Sequence, residues 1–359
     1  MTKEELLALS PAATDAAAYS AAKARWDRIS KPLDGLGDFE TLVCRLAAIE
    51  GTDNPDVSRR AVVVMCADNG VVAEGVSQCG QETTRAVAVA LGRGTSSAST
   101  LGKSARVEVV PIDVGIAQEG SIPGVLDANV ARGTRNFAVE PAMTEEETLR
   151  AIAVGFDAVQ RLVERGVKAV AAGEMGIGNT TTTTAVLCAL LQRPVEELVG
   201  RGAGLDDAGL ARKRRTIERG LARYDFSAFQ DERERAFAIL RTFGGLDIAG
   251  LVGVCLGGAT FQVPIVLDGV ISASSALVAE TLVPGTRDYM IASHSGREKG
   301  IRLALERLGL VPYIDGQMAL GEGTGAMMLF PLLDVVLDFY RNASSFDDVQ
   351  IAQYKRFDK

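Results

Sequence analysis

Histidine is nearly absent from this chain: His294 is the single copy among 359 residues. Histidine is the side chain whose ordinary pKa lies nearest neutrality. A lone copy excludes a histidine-built metal cage and makes a carboxylate the expected base for any acid–base chemistry. Cysteine is also scarce. Cys44, Cys66, Cys79, Cys188 and Cys255 are odd in number, show no C-x-x-C spacing and lie mostly in apolar runs. That pattern excludes a disulfide framework and a thiolate zinc site, and implies reduced thiols in the cytoplasm. The acids are too scattered for a metal cage, so neither a metal nor a cofactor is expected. No apolar stretch reaches the roughly 18 residues of a membrane span; the best, 251–266, is interrupted by Gly, Gln and Pro. The opening Met-Thr-Lys-Glu-Glu lacks the basic start and apolar centre of a signal peptide. Positive charge is in deficit, with 38 Lys and Arg against 46 Asp and Glu, a net charge of −8. This argues against a nucleic-acid partner.

What is present is a chain of ordinary globular composition, 47% hydrophobic and 23% charged, long enough for one large domain and a smaller one. Its 38 glycines are clustered in loops, as expected where backbone approaches a ligand. Segments 4–9, 12–22 and 39–49 read as helices, making 1–55 a helical N-terminal layer. Short β-branched or apolar runs at 61–66, 107–114, 167–172, 263–267 and 289–293 read as buried parallel strands. Helices are expected at 82–91, 144–164, 185–191, 272–280 and 300–308. A basic helix carries Arg212 to Arg215, and another opens at 244–250. Residues 116–135 read as loop. Residues 311–315 read either as a last strand or as an extended lead into the next loop. Alternation of strands and helices predicts an α/β fold with a largely parallel, doubly wound sheet over 56–330. The segment 331–359 is expected to pack with the N-terminal helices as a smaller helical domain formed from both chain ends.

Polar residues recur where the strands end, at Asp68, Asn69, Asp113, Glu174, Asp268 and His294. Ligands of open α/β sheets bind outside those carboxyl ends. Two stretches stand out. Residues 173–179, Gly-Glu-Met-Gly-Ile-Gly-Asn, follow a strand and lead into five threonines at 180–184. Strand, glycine loop and helix start are the arrangement whose backbone N–H groups bind phosphate. Threonine is a poor helix former, so an irregular first turn is expected. Residues 320–326, Leu-Gly-Glu-Gly-Thr-Gly-Ala, present Glu322 in a loop with almost no side chains beside it. Glu322 is expected to be poorly shielded, near the N-terminus of a buried helix at 326–333. Neither glycine loop is G-x-G-x-x-G or a Walker A motif, which counts against an NTPase. Two acids beside a phosphate cradle suit chemistry at a phosphorylated sugar.

At these residues the chain resembles the nicotinate-nucleotide–dimethylbenzimidazole phosphoribosyltransferase family, over nearly its full length. The carriers are 31–37, 67–71 with 74–77, 173–181, 200–204 with Lys213, 244–250, 268–269, 293–294 and 320–326. The resemblance implies transfer of the phosphoribosyl group of nicotinate mononucleotide to a nitrogen of 5,6-dimethylbenzimidazole or a related base. The products would be α-ribazole 5′-phosphate and nicotinate. It implies Glu322 as general base, with Glu174 as the second catalytic acid, and a homodimer working on small molecules without nucleic acid or membrane. Gly176, Gly178, Asn179, Thr180 and Thr181 are the implied ribose-phosphate contacts, with Gly202 and Lys213 near the phosphate. Ser77, Gln78 and Arg85 fall in the segment matching the base pocket, and Asp268, Gly321 and Gly323 complete the substrate-binding set. The chain departs from the family pattern at Asp34-Gly35, Gly80, Arg85, Ala203 and 295–300, which bears on the acceptor more than on the reaction. Two other classes stay open on the residues alone: a nucleotide-dependent oxidoreductase, and a nucleotide-binding sensor in which Glu322 is idle.

Overall fold

The computed structural model describes residues 1–356. The main sheet contains β1 (Arg60–Ala67), β2 (Val107–Gly115), β3 (Leu126–Asp127), β4 (Ala169–Met175), β5 (Ile265–Leu267) and β6 (Met290–Ala292), in the order β3-β2-β1-β4-β5-β6. Every pairing is parallel. A separate ribbon pairs β7 (His294–Gly296) with β8 (Ile314–Met318). Before β1 come α1 (Lys3–Ala8), α2 (Ala16–Arg28) and α3 (Asp38–Glu50). Joining β1 to β2 are α4 (Glu82–Gly92) and α5 (Ser97–Ala105), and α6 (Glu145–Glu164) leads into β4. Between β4 and β5 run α7 (Asn179–Leu191), α8 (Val195–Leu198), α9 (Asp207–Arg223), α10 (Glu232–Phe243) and α11 (Leu246–Thr260). The series ends with α12 (Val270–Leu282), α13 (Gly300–Leu308) and α14 (Thr324–Asn342).

The sheet is covered on both faces because its central strands are apolar at successive positions, not at alternate ones. Along β1, Ala61, Val63, Met65 and Ala67 enter one core with α6, α7, α11 and α12. Val62, Val64 and Cys66 enter a second core with α2, α3, α5 and α14. The doubly wound α/β expectation therefore holds.

Several local expectations change. The helix expected from 185 starts at Asn179, so all five threonines are helical. Thr182 and Thr184 donate their hydroxyls to the carbonyls of Asn179 and Thr180 at 2.9 and 2.7 Å. Burial of Thr181 to Thr184 outweighs their weak propensity. Residues 116–135 contain the short edge strand β3. The choice at 311–315 resolves into β8, which pairs with β7 and not with the main sheet. Strand β6 stops at Ala292, and 294–296 belongs to that ribbon. The helix expected at 326–333 is longer, and α14 passes without a break through Pro331 to Asn342. Among the described residues, no helix is long and apolar enough to cross a membrane.

Helix α6 packs on α11 through glycines. A methyl group on Gly155 would overlap the carbonyl oxygen of Gly250, and one on Gly253 would overlap that of Ile152. Both obstacles are backbone, which cannot swing aside. Gly155→Ala should therefore lower stability by about 1–3 kcal/mol through overpacking, read from urea unfolding. An unchanged midpoint would show that the helices do not pack at this distance.

Candidate active site

One cavity of about 360 Å³ opens at the carboxyl ends of β4 and β5, beside the point where strand order reverses between β1 and β4. Ser77, Gln78, Glu174, Gly176, Gly178, Asn179, Thr180, Gly202, Asp268, Gly321 and Glu322 all line it. Residues more than two hundred apart in sequence thus share one chamber.

The start of α7 forms one wall. Gly178, at φ 93°, turns the chain from β4 into the helix, a conformation that favours glycine. Asn179 and Thr180, the first two helical residues, face the cavity. The Asn179 and Thr181 N–H groups donate to the Gly176 and Gly178 carbonyls at 3.1 and 2.9 Å, so among the described residues the Thr180 N–H is the donor of this turn left for an anion.

The Glu322 loop forms another part of the lining. Gly173 lets it approach β4, since a methyl there would lie 2.9 Å from the Glu322 carbonyl carbon. The Glu322 N–H donates to the Glu174 carbonyl at 3.2 Å. Glu322 itself takes φ 59°, rare for a side-chain-bearing residue and frequent at functional positions. The expectation of a poorly shielded glutamate is overturned: the residue is only 9% exposed. The reason is tertiary. Its Oε2 accepts the Ala98 N–H at 3.0 Å, at the N-terminus of α5, a helix the sequence reading did not anticipate. Such a position favours a negative charge.

Asp268 performs the matching task on α14. Its Oδ1 accepts the N–H groups of Gly325 at 2.7 Å and Ala326 at 3.2 Å, tying the helix behind Glu322 to the end of β5. His294 lies alongside, its Nδ1 4.0 Å from Asp268 Oδ1 and 2.9 Å from Ser293 Oγ. A methyl on Gly325 would overlap the imidazole ring. Burial lowers the His294 pKa and raises that of Asp268.

Glu174 is held differently. Asn179 donates its side-chain amide to Glu174 Oε2 and also to Asp247 Oδ2, at 3.1 Å for the latter. Burial, then repulsion from Asp247 and Asp268, pushes the Glu174 pKa to about 8. Burial pushes Asp247 to about 6. At neutral pH Glu174 is mainly protonated and can donate a hydrogen bond as well as accept one.

Four expected residues lie outside the lining. Arg85 Nη1 donates to the Gly120 carbonyl at 3.0 Å. Thr181 is fully buried, its hydroxyl unpaired. Gly323, at φ 77°, precedes α14 and packs on Gly173 and Val62. Lys213 is fully buried behind the wall and donates to Thr180 Oγ1 at 2.9 Å and the Gly200 carbonyl at 3.1 Å. Burial lowers its pKa to about 8. Arg201, Glu298, Met318, Leu320 and Thr324 line the cavity without having been expected as site residues. Arg201 lies in the 200–204 stretch, Leu320 and Thr324 in 320–326 and Glu298 in the divergent 295–300 segment, whereas Met318 had no such signal. Among the described residues no cluster of three or more His, Cys, Asp or Glu is placed to hold a metal ion.

The geometry matches known proteins across the chain. A family profile described as phosphoribosyltransferase matches residues 12–351. The nicotinate-nucleotide–dimethylbenzimidazole phosphoribosyltransferase of Acetivibrio thermocellus is 38% identical over 331 residues, covering 92% of this chain and 93% of that protein. The enzyme of the same name from Thermus thermophilus is 42% identical over 320 residues, covering 89% and 94%. The crystal structure of CobT from Thermus thermophilus superposes with a TM-score of 0.88 at 39% identity, covering 94% of this chain and all of that one. By profile, sequence and fold together, this chain belongs to the nicotinate-nucleotide–dimethylbenzimidazole phosphoribosyltransferase family.

Proposed function

We propose that this enzyme moves the phosphoribosyl group of nicotinate mononucleotide to 5,6-dimethylbenzimidazole or a related base, giving α-ribazole 5′-phosphate and nicotinate. The observation that supports the reading is that the α7 start and Glu322 line one cavity. The phosphate rests on the α7 N-terminus, with Gly176, Gly178, Thr180 and Gly202 close by and Lys213 behind. The base lies toward Ser77, Gln78, Val87 and Leu320, mixed apolar and polar residues of the same lining. One ring nitrogen of the base attacks C1′ as the bond from C1′ to nicotinate breaks, with inversion. The departing pyridinium nitrogen keeps the bonding pair and becomes neutral. The proton on the other ring nitrogen passes to Glu322, whose Oε2 is held by Ala98 while Oε1 has no hydrogen bond from the described residues. Glu174, protonated, donates to an oxygen of the ribose.

Three outcomes follow. Glu322→Gln keeps shape but cannot take the proton, so turnover should fall by about 10² to 10⁴, roughly 3–5 kcal/mol of barrier, with nucleotide affinity little changed. Glu174→Gln imitates the neutral acid already present and should lose far less; the reverse ranking in steady-state kinetics would mean the base is Glu174. Nicotinate mononucleotide should bind much more tightly than nicotinate riboside by calorimetry, and equal dissociation constants would remove the phosphate from the α7 start.

The free cysteines fit the cytoplasm, and the packing of the chain ends supports a smaller helical unit and a homodimer. Trp26 of α2 packs on Tyr340 with ring centres 4.8 Å apart, and Ile29 bridges to Ser345. Elsewhere on α14, Met328, Leu332 and Val335 are exposed, Val335 at 69%. Their spacing puts them on one face, an apolar stripe suited to a second copy of the chain. Light scattering should give twice the chain mass for the native protein and a monomer for Val335→Glu. A native protein that is monomeric at all concentrations and fully active would overturn the homodimer.

A further inference from the structure

Glu298 lines the cavity but belongs to none of the groups so far given a task. It stands in the short connection between β7 and α13. Its Oε1 accepts the Gly202 N–H at 3.0 Å. A methyl on Gly200 would overlap its carboxylate, so the side chain lies flat against the 200–202 backbone. On the same stretch of backbone, buried Lys213 donates to the Gly200 carbonyl at 3.1 Å, and also to Thr180 Oγ1 at 2.9 Å. Gly202 fills the gap: a methyl there would lie 2.6 Å from Thr180 Oγ1 and 3.4 Å from Lys213 Nζ. One strip of backbone is thus gripped by an anion on an N–H and a cation on a C=O, two residues apart.

We propose that Glu298 is a positioning residue that clamps the 200–202 wall and holds Lys213 in its cationic form behind the nucleotide phosphate. The inference rests on the phosphoribosyl reading for the identity of the ligand, though not for the clamp itself. A carboxylate near a phosphate subsite would ordinarily repel the ligand. Here it is engaged by backbone, and its field acts on Lys213. The other charges on elements packed against α9 are already matched. Glu196 pairs with Arg214, Glu197 with Arg193, and Glu74 with Arg219. Arg201 pairs with Asp207 on α9 itself. Helix α7 brings one titratable group, Cys188, whose thiol is pushed by burial up to about 12. Glu298 is therefore the acid that offsets the desolvation of Lys213, whose pKa burial lowers to about 8. The sign follows: Lys213 is charged below that value and neutral above it. Removing the Glu298 charge moves the transition to lower pH.

The test compares the native enzyme with Glu298→Gln, which keeps an oxygen for Gly202 without the charge, and with Glu298→Ala, which loses both. Nitrogen NMR of the lysine side chains follows Lys213 directly, assigned by Lys213→Arg, and needs no substrate. Calorimetry with nicotinate mononucleotide between pH 6 and 9 follows the cradle. In Glu298→Gln the Lys213 midpoint should fall, and nucleotide affinity near pH 8 should drop about tenfold while affinity near pH 6 stays native. KM should carry the change more than kcat. Glu298→Ala should bind weakly at every pH. A Lys213 midpoint unmoved by Glu298→Gln would overturn the proposal, and so would a shifted midpoint that nucleotide affinity does not follow. Absence of nicotinate mononucleotide binding in the native enzyme would count against the functional reading, with the Lys213 midpoint still deciding the clamp.

Discussion

Two carboxylates seated on helix N-termini hold this site in place. The first N–H groups of a helix lack intrahelical partners, so an acid from elsewhere in the chain can satisfy them and be oriented in return. Asp268, at the end of β5, takes those of Gly325 and Ala326 in α14. Glu322, just before α14, takes that of Ala98 in α5. The central sheet, α14 and α5 are thereby linked through the residues that surround the reacting groups. A capping interaction is worth only about 0.5–2 kcal/mol, but here it sets where a carboxylate points, and the chemistry depends on that.

The same arrangement explains how a chain of net charge −8 can present an anion site beside four buried acids. Glu174 is largely neutral, because burial and its acidic neighbours push its pKa to about 8. Asp247 shares the Asn179 amide with it. Asp268 and Glu322 are each covered by helix donors. What remains directed at the phosphate end is the start of α7, with Lys213 one layer behind. Local geometry, not overall charge, determines the sign of the field inside the cavity.

The strand order β3-β2-β1-β4-β5-β6 is shared with dinucleotide-binding folds. The loop after β1 separates the two: it reads Asp68-Asn69-Gly70 and carries no G-x-G-x-x-G. The glycine loop sits after β4 instead, and the relatives that match 92% and 89% of this chain are phosphoribosyltransferases. The fold supplies the crevice, and side chains on its rim decide the reaction.

The sequence by itself determined the sheet and its helices, because buried parallel strands leave continuous apolar runs such as 61–66 and 167–172, and because glycine loops mark where those strands end. The residue types at 173–180 and 320–326 were legible for the same reason: backbone that must approach a ligand or another strand cannot carry side chains. Tertiary structure alone decided what those residues touch. That Glu322 is buried, that Lys213 stands behind Thr180 and not in solvent, that Arg85 turns to Gly120 and that Glu298 grips Gly202 all depend on contacts between segments far apart in the chain. Helix α5 went unread because its nine residues, Ser97 to Ala105, are mostly small, with Leu101 the one large apolar side chain, yet its first turn receives the Glu322 carboxylate. Local periodicity reports which face of an element is buried; the partner across that face is selected only when the sheet closes over it.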